Sequence, residues 1–340
     1  MTVESSAPKP RLRDDLDALA ALVQGAARHL EIDSAFVEKD FWVTELLRSV
    51  AVGDEITTQD GTAHPVRTVF KGGTSLSRIY GLIERFSEDV DILVVFPPDA
   101  GNNARDKALK RIADTARVHL GLGLDRCNLQ ESSTGIKRNV RYQYPRRFHN
   151  TATREYLLLE MGCRGGPDPH RRAMLRSMVA DYAINNLGDA SEAWEEFSPV
   201  SVEVLAPERT LLEKLALLHD LGARSVNETE PLEAIRHVGR HYYDIHCLLS
   251  NDGVRTALSA LGTAGVISLA NDINSRSQAA GWSHTPRPAG GFAASPAFDP
   301  STSALAHAEH SYEAAMAMVY GSRPSFEGCL ETVHHYRDLI

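Results

Sequence analysis

The chain has 340 residues, 43% of them hydrophobic, and a formal charge of −9. That length can bury a sizeable core and favours about two lobes of roughly one to two hundred residues each, while the negative balance excludes a protein that coats nucleic acid by bulk attraction, so any RNA contact must be local. No apolar stretch approaches the ~20 residues of a membrane-spanning helix. The polar start MTVESSAPKPRLRDD has no apolar h-region, and Cys127, Cys163, Cys247 and Cys329 form no C-x-x-C. The expectation is therefore a cytoplasmic chain without a membrane partner, a zinc site or a disulfide framework.

Apolar spacing predicts helices over 13–30 and 35–50, strands at 66–70 and 90–96, a helix over 103–120 and strand-like runs at 139–144 and 154–161. Helices are then expected over 171–184, 190–197, 207–221 and 231–250. The Pro-, Gly-, Ala- and Ser-rich stretch 281–303 reads as an extended or mobile connector, and 304–340 as two helices split at Gly321–Pro324. No internal repeat is found. Strands first and helices afterwards argue for an α+β protein, a core lobe and a mainly helical C-terminal lobe with a substrate cleft between them. The corresponding division is 1–50 (N-terminal helical segment), 51–170 (core) and 171–340 (helical lobe).

The run FKGGTSLSRIYGLIERFSEDVDIL, from Phe70 to Leu93, concentrates the chemistry. In a strand beginning near Asp89, the period-2 alternation sets Asp89 and Asp91 on one face and Glu88 elsewhere. Two such carboxylates repel unless a cation lies between them, and hard oxygen donors suit Mg²⁺ with substrate phosphates; otherwise they are solvated acids at a sheet edge. Before them, Gly72-Gly73-Thr74 follows the β-like Thr68-Val69-Phe70 and opens a helical stretch from Ser75 to Leu82. Such a loop brings backbone N–H groups to a phosphate, although neither G-x-x-x-x-G-K-[ST] nor G-x-G-x-x-G is present.

Further along, Glu160 is the one acid in the apolar run Tyr156 to Met161, and it either ends that strand in solvent or joins Asp89 and Asp91 at the metal. Lys214 borders the Leu211, Leu212, Leu215 and Leu218 stripe of a helix opened by Pro207. Its ammonium either reaches a cleft or pairs on the surface with Glu213 or Glu208. Asp244 has Arg240 at i−4, an exposed ion pair in the bland reading. Lys137, Arg138, Arg141, Arg146 and Arg147, interleaved with Tyr142, Tyr144 and Phe148, form a basic cluster suited to RNA or to an ordinary strand edge; Arg164, His170, Arg171, Arg172 and Arg176 form a second. Ser87, two residues before Asp89, is a capping serine or a regulatory phosphorylation site whose phosphate would block nucleotide binding.

The string KGGTSLSRIYGLIERFSEDVDI resembles the nucleotidyltransferase core of the AbiEii/AbiGii toxin family, which includes the MenT toxins and has the DNA polymerase β-like nucleotidyltransferase fold. Val37 to Thr44 (VEKDFWVT) resembles the helix before that core, and Glu208 to Leu215 (ERTLLEKL) with Tyr243-Asp244-Ile245 its third and fourth motifs; the likeness runs from Val37 to Leu249. The resemblance implies a nucleotidyltransferase-type mixed sheet with flanking helices. It implies that Asp89 and Asp91, with Glu160, hold two Mg²⁺; that Gly72, Gly73, Thr74, Ser75 and Lys214 hold the triphosphate of an NTP; and that Asp244 orients Lys214 or assists the attacking hydroxyl. The family further implies transfer of an NMP to the 3′ end of tRNA with release of pyrophosphate, a block to translation, and an antitoxin on a separate chain. Two other functions stay open: transfer to a small hydroxyl compound or a protein, and a binding protein whose site has decayed.

Overall fold

The structure, a computed structural model, describes residues 9–57, 61–87, 89–151, 153–163, 165–228 and 230–340, so Glu88 and Arg164 lie outside the described residues. Two capped helices open the chain. Asp15 accepts the Ala18 N–H at the start of α1 (Leu16–Leu30), and Asp33 accepts that of Ala35 at the start of α2 (Ser34–Val50), each satisfying an orphan donor of a first turn. There follow β1 (Asp54–Thr57), β2 (Ala63–Lys71), α3 (Gly72–Arg78), β3 (Asp89–Val95), α4 (Asn102–His119), β4 (Cys127–Ser133), β5 (Lys137–Tyr142), β6 (Leu157–Gly162), β7 (His170–Leu175), α5 (Met178–Tyr182) and β8 (Val200–Leu205). The remainder is helical: α6 (Pro207–Arg224), α7 (Glu230–Ile235), α8 (Arg240–Ser250), α9 (Asp252–Ala279), α10 (Ser303–Ala315) and α11 (Phe326–His335).

The strands form one sheet in the order β4-β5-β6-β3-β2-β8-β7, with β1 antiparallel to β2. The central pair β3/β6 is parallel while β4/β5 and β5/β6 are antiparallel, so the sheet is mixed. With 53% of the chain helical and 16% in strands, helices flanking this sheet and a helical C-terminal region, the protein has the expected mixed α and β architecture. Alternation makes the sheet two-faced: Val90, Ile92 and Val94 of β3, Leu157, Leu159 and Met161 of β6, and Val140 and Tyr142 of β5 are buried on one side. Helices α2 and α4 pack among them, and the Tyr142 hydroxyl donates to the Ala113 carbonyl of α4 at 2.8 Å.

Buried on all sides, α2 must satisfy every charge it carries. Glu38 accepts the N–H groups of Arg147 and Phe148 at 2.9 and 3.0 Å, Lys39 donates to the Arg154 carbonyl at 2.9 Å, and Asp40 accepts the Met178 N–H at 2.6 Å. Three consecutive charged residues thus tie both ends of the 147–154 segment and the start of α5 to one helix. Burial alone would push the Glu38 carboxyl up, and does so despite those two N–H donors. Beside them Trp42, with no exposed surface, meets Phe41 edge-on and lies tilted against Tyr144.

Two compact units result, one comprising Met1–Phe70, Glu88–Cys163 and Arg172–Glu203, the other Lys71–Ser87, Arg164–Arg171 and Val204–Ile340. The second unit has its own core, in which Leu211, Leu212, Leu215 and Leu218 of α6 meet Tyr242, Ile245, Leu248 and Leu249 of α8 together with Leu258 and Val266 of α9 and Leu330 and Val333 of α11.

Several expectations need correction. The helix expected over 171–184 is strand β7 followed by α5 and a π turn at Ala183–Leu187, because Ser177 caps a new helix at Ala180. Over 190–197 only Glu195–Phe197 is helical, as a 3-10 turn, and 231–250 is split into α7 and α8. The 281–303 connector is pinned: Phe292, Ala297 and Phe298 enter the second core, and buried Asp220 accepts hydrogen bonds from Ser283 and Thr285. Helix α9 was not foreseen; by length and composition its 28 residues are apolar enough to cross a membrane, contrary to the hydropathy expectation, but Gly262 (φ 63, ψ 173) is not helical and divides it into two pieces at a kink, and Val254, Leu258, Val266 and Ala270 bury one side of it in the second unit.

Trp42 supplies a stability test. Its Nε1–H has no hydrogen-bond partner, so Trp42→Phe removes an unsatisfied donor along with some area and is expected to cost under about 1.5 kcal/mol, whereas Trp42→Ala should cost about 3–5 kcal/mol. Urea unfolding of both variants checks this; equal losses would show that the indole N–H is satisfied in solution.

Candidate active site

Backbone register assembles the acids of the first unit. Asp91 stands opposite Glu160 in the parallel β3/β6 pair, and Asp89 opposite Leu158, so all three carboxylates leave the sheet on the face away from Val90 and Leu159. In β5, Asn139 is the partner of Glu160, and its Nδ2 donates to Glu160 Oε1 at 3.1 Å. The Asn139 Oδ1, buried with it, has no partner. Glu160 therefore lies mid-strand among polar groups and does not end the strand in solvent. Burial first, then the charges of Asp91 and Asp89, push its carboxyl up to about 7, and it shares a hydrogen bond with Asp91. The carboxylate of Asp89 receives Arg154 Nη1 at 3.0 Å.

Among the described residues, no three His, Cys, Asp or Glu side chains are gathered as a ready-made metal site. The donor set nevertheless fits a hard divalent cation. It consists of oxygen donors, Asp91 and Asp89 raise the proton affinity of Glu160 as crowded anions do, and an orphaned amide oxygen, Asn139 Oδ1, is buried beside them.

Basic residues flank the acids unevenly. By alternation along β5, Lys137 and Arg141 share the face of Asn139 while Arg138 takes the other. Lys137 pairs with Glu131, and the Arg141 guanidinium lies 4.3 Å from the Tyr156 ring centroid. Arg146 is spent within its own loop, donating to the Phe148 carbonyl at 2.7 Å, and Arg147 pairs with Asp17.

The second unit holds the glycine pair. Helix α3 begins at Gly72 and ends at Arg78, earlier at both ends than expected, so Gly72 to Ser75 form its first turn and not a loop ahead of it. Gly72 has φ +77, in the left-handed region, which lets the chain turn directly out of β2. At Gly73 the constraint is space: a Cβ would fall 2.6 Å from Arg85 Nη2 and 2.8 Å from Ser87 Oγ. Lys71 gives the helix no side-chain cap, and Ser75 Oγ donates to the Gly72 carbonyl, so backbone N–H groups are what this turn offers a ligand. The Thr74 side chain is buried as well.

That same Arg85 leads to Asp244. Its Nε and Nη2 donate to Asp244 Oδ1 and Oδ2 at 2.6 and 2.8 Å, a bidentate pair. Lys214 Nζ lies 2.9 Å from Asp244 Oδ2 and donates to His241 Nδ1 at 3.0 Å. The surface alternatives are overturned: Glu213 pairs with Lys71 and Arg209, and the fully buried Asp244 pairs with Arg85 and Lys214. Burial works against the Asp244 charge, yet Arg85 and Lys214 outweigh it and hold the carboxyl well below its usual range. Burial, then the neighbouring Lys214, push the His241 imidazole down to about 3, so it is neutral and accepts. The Lys214 ammonium is lowered, by burial and by Arg85 against the opposing pull of Asp244. Two cations share one carboxylate, leaving a positive excess suited to an anion. Arg85, His241, Asn139 and Arg154 escaped the sequence reading. Arg85 lies inside the quoted motif, but nothing local couples it to a residue 159 positions away.

The family described as "Nucleotidyl transferase AbiEii toxin, Type IV TA system" matches residues 62–332, which contain both groups of residues. The chain belongs to the AbiEii family. No curated protein matches the chain. As an AbiEii protein it is a toxin nucleotidyltransferase of a toxin–antitoxin system, and an antitoxin is its partner in that system.

Two predictions follow from these geometries. Glu160 holds a proton in the folded state that the unfolded chain loses near pH 4.5, so the stabilisation is present below that pH and lost as pH rises through about 7. Glu160→Gln should flatten the fall in metal-free melting temperature between pH 5 and 8; parallel profiles for wild type and variant would contradict the shift. Asp244→Ala strands two buried cations and should cost about 3–5 kcal/mol, whereas Asp244→Ala combined with Arg85→Met and Lys214→Met should recover much of that loss in urea unfolding.

Proposed function

We propose that this AbiEii toxin transfers an NMP from an NTP to the 3′ end of tRNA, releasing pyrophosphate and leaving a terminus that cannot be aminoacylated, so that translation stops. The observation that carries the reading is the Asp89, Asp91 and Glu160 row, set on one face of the sheet by register and crowded enough that burial and the two aspartates raise Glu160. These residues would hold Mg²⁺, proposed as two ions, which would supply charge neutralisation at the phosphates. Backbone N–H groups of Gly72, Gly73, Thr74 and Ser75, with Lys214, bind the triphosphate. Asp244 keeps Lys214 charged and oriented. The acceptor hydroxyl attacks the α-phosphorus, its proton departs, and the bond to the pyrophosphate oxygen breaks as the new P–O bond forms.

Lys137, Arg138, Arg141, Arg146 and Arg147 are the proposed RNA-contacting residues, and the cytoplasm the proposed location. Residues 51–170 are the proposed nucleotidyltransferase core, preceded by the helical segment 1–50 and followed by the lobe 171–340. A phosphate on Ser87, whose hydroxyl lies against Gly73, would crowd the phosphate-binding turn.

The test is incubation of purified protein with each α-labelled NTP and total tRNA, total protein or small hydroxyl compounds, followed by sequencing of RNA 3′ ends. Label is expected on tRNA 3′ ends, reduced at least about 100-fold by Asp91→Ala. Label on protein or small compounds alone would replace the tRNA assignment, and growth arrest that survives Asp89→Ala and Asp91→Ala would indicate a decayed, binding-only protein.

A further inference from the structure

The segment between β5 and β6 carries a cation that the proposed chemistry leaves unused. Arg154 Nη1 donates to Asp89 Oδ1 at 3.0 Å, with the arginine side chain 44% exposed and that of Asp89 14%. The position of this arginine is set from behind. Lys39 of α2 holds the Arg154 carbonyl, and Glu38 holds the N–H groups of Arg147 and Phe148, so both ends of the 147–154 segment are fixed to one buried helix. The Tyr156 ring, 6.0 Å from the Arg154 guanidinium, lies close on the same strip of chain. The guanidinium is thus presented to Asp89 by an anchored backbone, while the head itself stays partly in water and can leave.

A carboxylate oxygen turned to a divalent ion does not also welcome a guanidinium, because the two cations repel and compete for the same lone pairs. We propose that Arg154 is the resident counter-cation of Asp89: it competes with the divalent ion for this carboxylate and gives it up when the ion arrives with a nucleotide, whose phosphates offer the guanidinium a replacement partner. The inference rests on the reading of Asp89, Asp91 and Glu160 as the metal-binding row. Its consequence is order. Metal alone binds weakly, metal together with NTP binds strongly, and the toxin does not sit loaded with ions between turnovers. A guanidinium that instead held Asp89 in position for the ion would have the opposite effect on metal affinity, so the sign of one measurement decides.

The measurement is Mn²⁺ binding, read from the free-ion electron paramagnetic resonance signal, for wild type, Arg154→Ala, Arg154→Gln, Arg154→Lys and Asp91→Ala. Each is titrated without nucleotide and with a mixture of the four non-hydrolysable NTP analogues, after thermal melts confirm folding. Arg154→Ala and Arg154→Gln are expected to bind Mn²⁺ alone about three- to fivefold tighter than wild type, the scale of a part-exposed ion pair, with Arg154→Lys close to wild type. The enhancement by nucleotide should shrink in the two neutral variants. Unchanged or weaker Mn²⁺ binding by both would overturn the role of Arg154. Asp91→Ala separates the two levels: if it binds Mn²⁺ as wild type does, the metal-binding row itself falls, and if it loses Mn²⁺ while the Arg154 variants gain nothing, only the counter-cation inference falls.

Discussion

Three carboxylates held on one face of a sheet repel one another, and the first unit is organised around meeting that repulsion. Strand register fixes Asp91 across from Glu160 and Asp89 one pleat away, so the charges cannot spread by sliding. A one-residue slip would carry Asp89 and Asp91 into the layer now filled by Val90, Ile92 and Leu159, which is why the apolar face of the same strands is what holds the acids in place. The repulsion is met by the raised proton affinity of Glu160, by the Asn139 amide, and by a guanidinium on Asp89.

The second unit solves the opposite problem. Asp244 is a buried anion with two cations on it, a pairing that loses far more if one partner is removed than it gains in net stability as a set. Arg85 links this carboxylate to Gly73, because its guanidinium fills the space a side chain at that glycine would need. The glycine is therefore required by packing whatever it binds, and the Gly72–Ser75 turn and Lys214 share one electrostatic anchor.

Much of this was legible in the sequence and the rest fails for identifiable reasons. The two-residue spacing of Asp89 and Asp91 and the apolar run around Glu160 read correctly because strand alternation is a local property. Strand β8 carries the same signal at Val200, Val202 and Val204 and was overlooked between expected helices. At β7, His170-Arg171-Arg172 reads as helix-compatible on propensity, and only pairing in the sheet makes it a strand. Composition misread 281–303, since Pro and Gly mark loops without saying whether Phe292 and Phe298 anchor them. The buried pair Arg85–Asp244 and the latches Glu38, Lys39 and Asp40 join positions more than a hundred residues apart, and no spacing rule reaches that far.

Helix α2 lies before residues 62–332, the span matched to the family, although its Val37–Thr44 stretch carries part of the resemblance read from the sequence. Yet its side chains cover the apolar face beneath the acids, and its three consecutive charges terminate backbone groups that would otherwise be buried and unpaired. A fragment cut to residues 62–332 would lose the helix that covers the apolar face beneath the acids and would leave the N–H groups of Arg147, Phe148 and Met178 and the carbonyl of Arg154 without these side-chain partners.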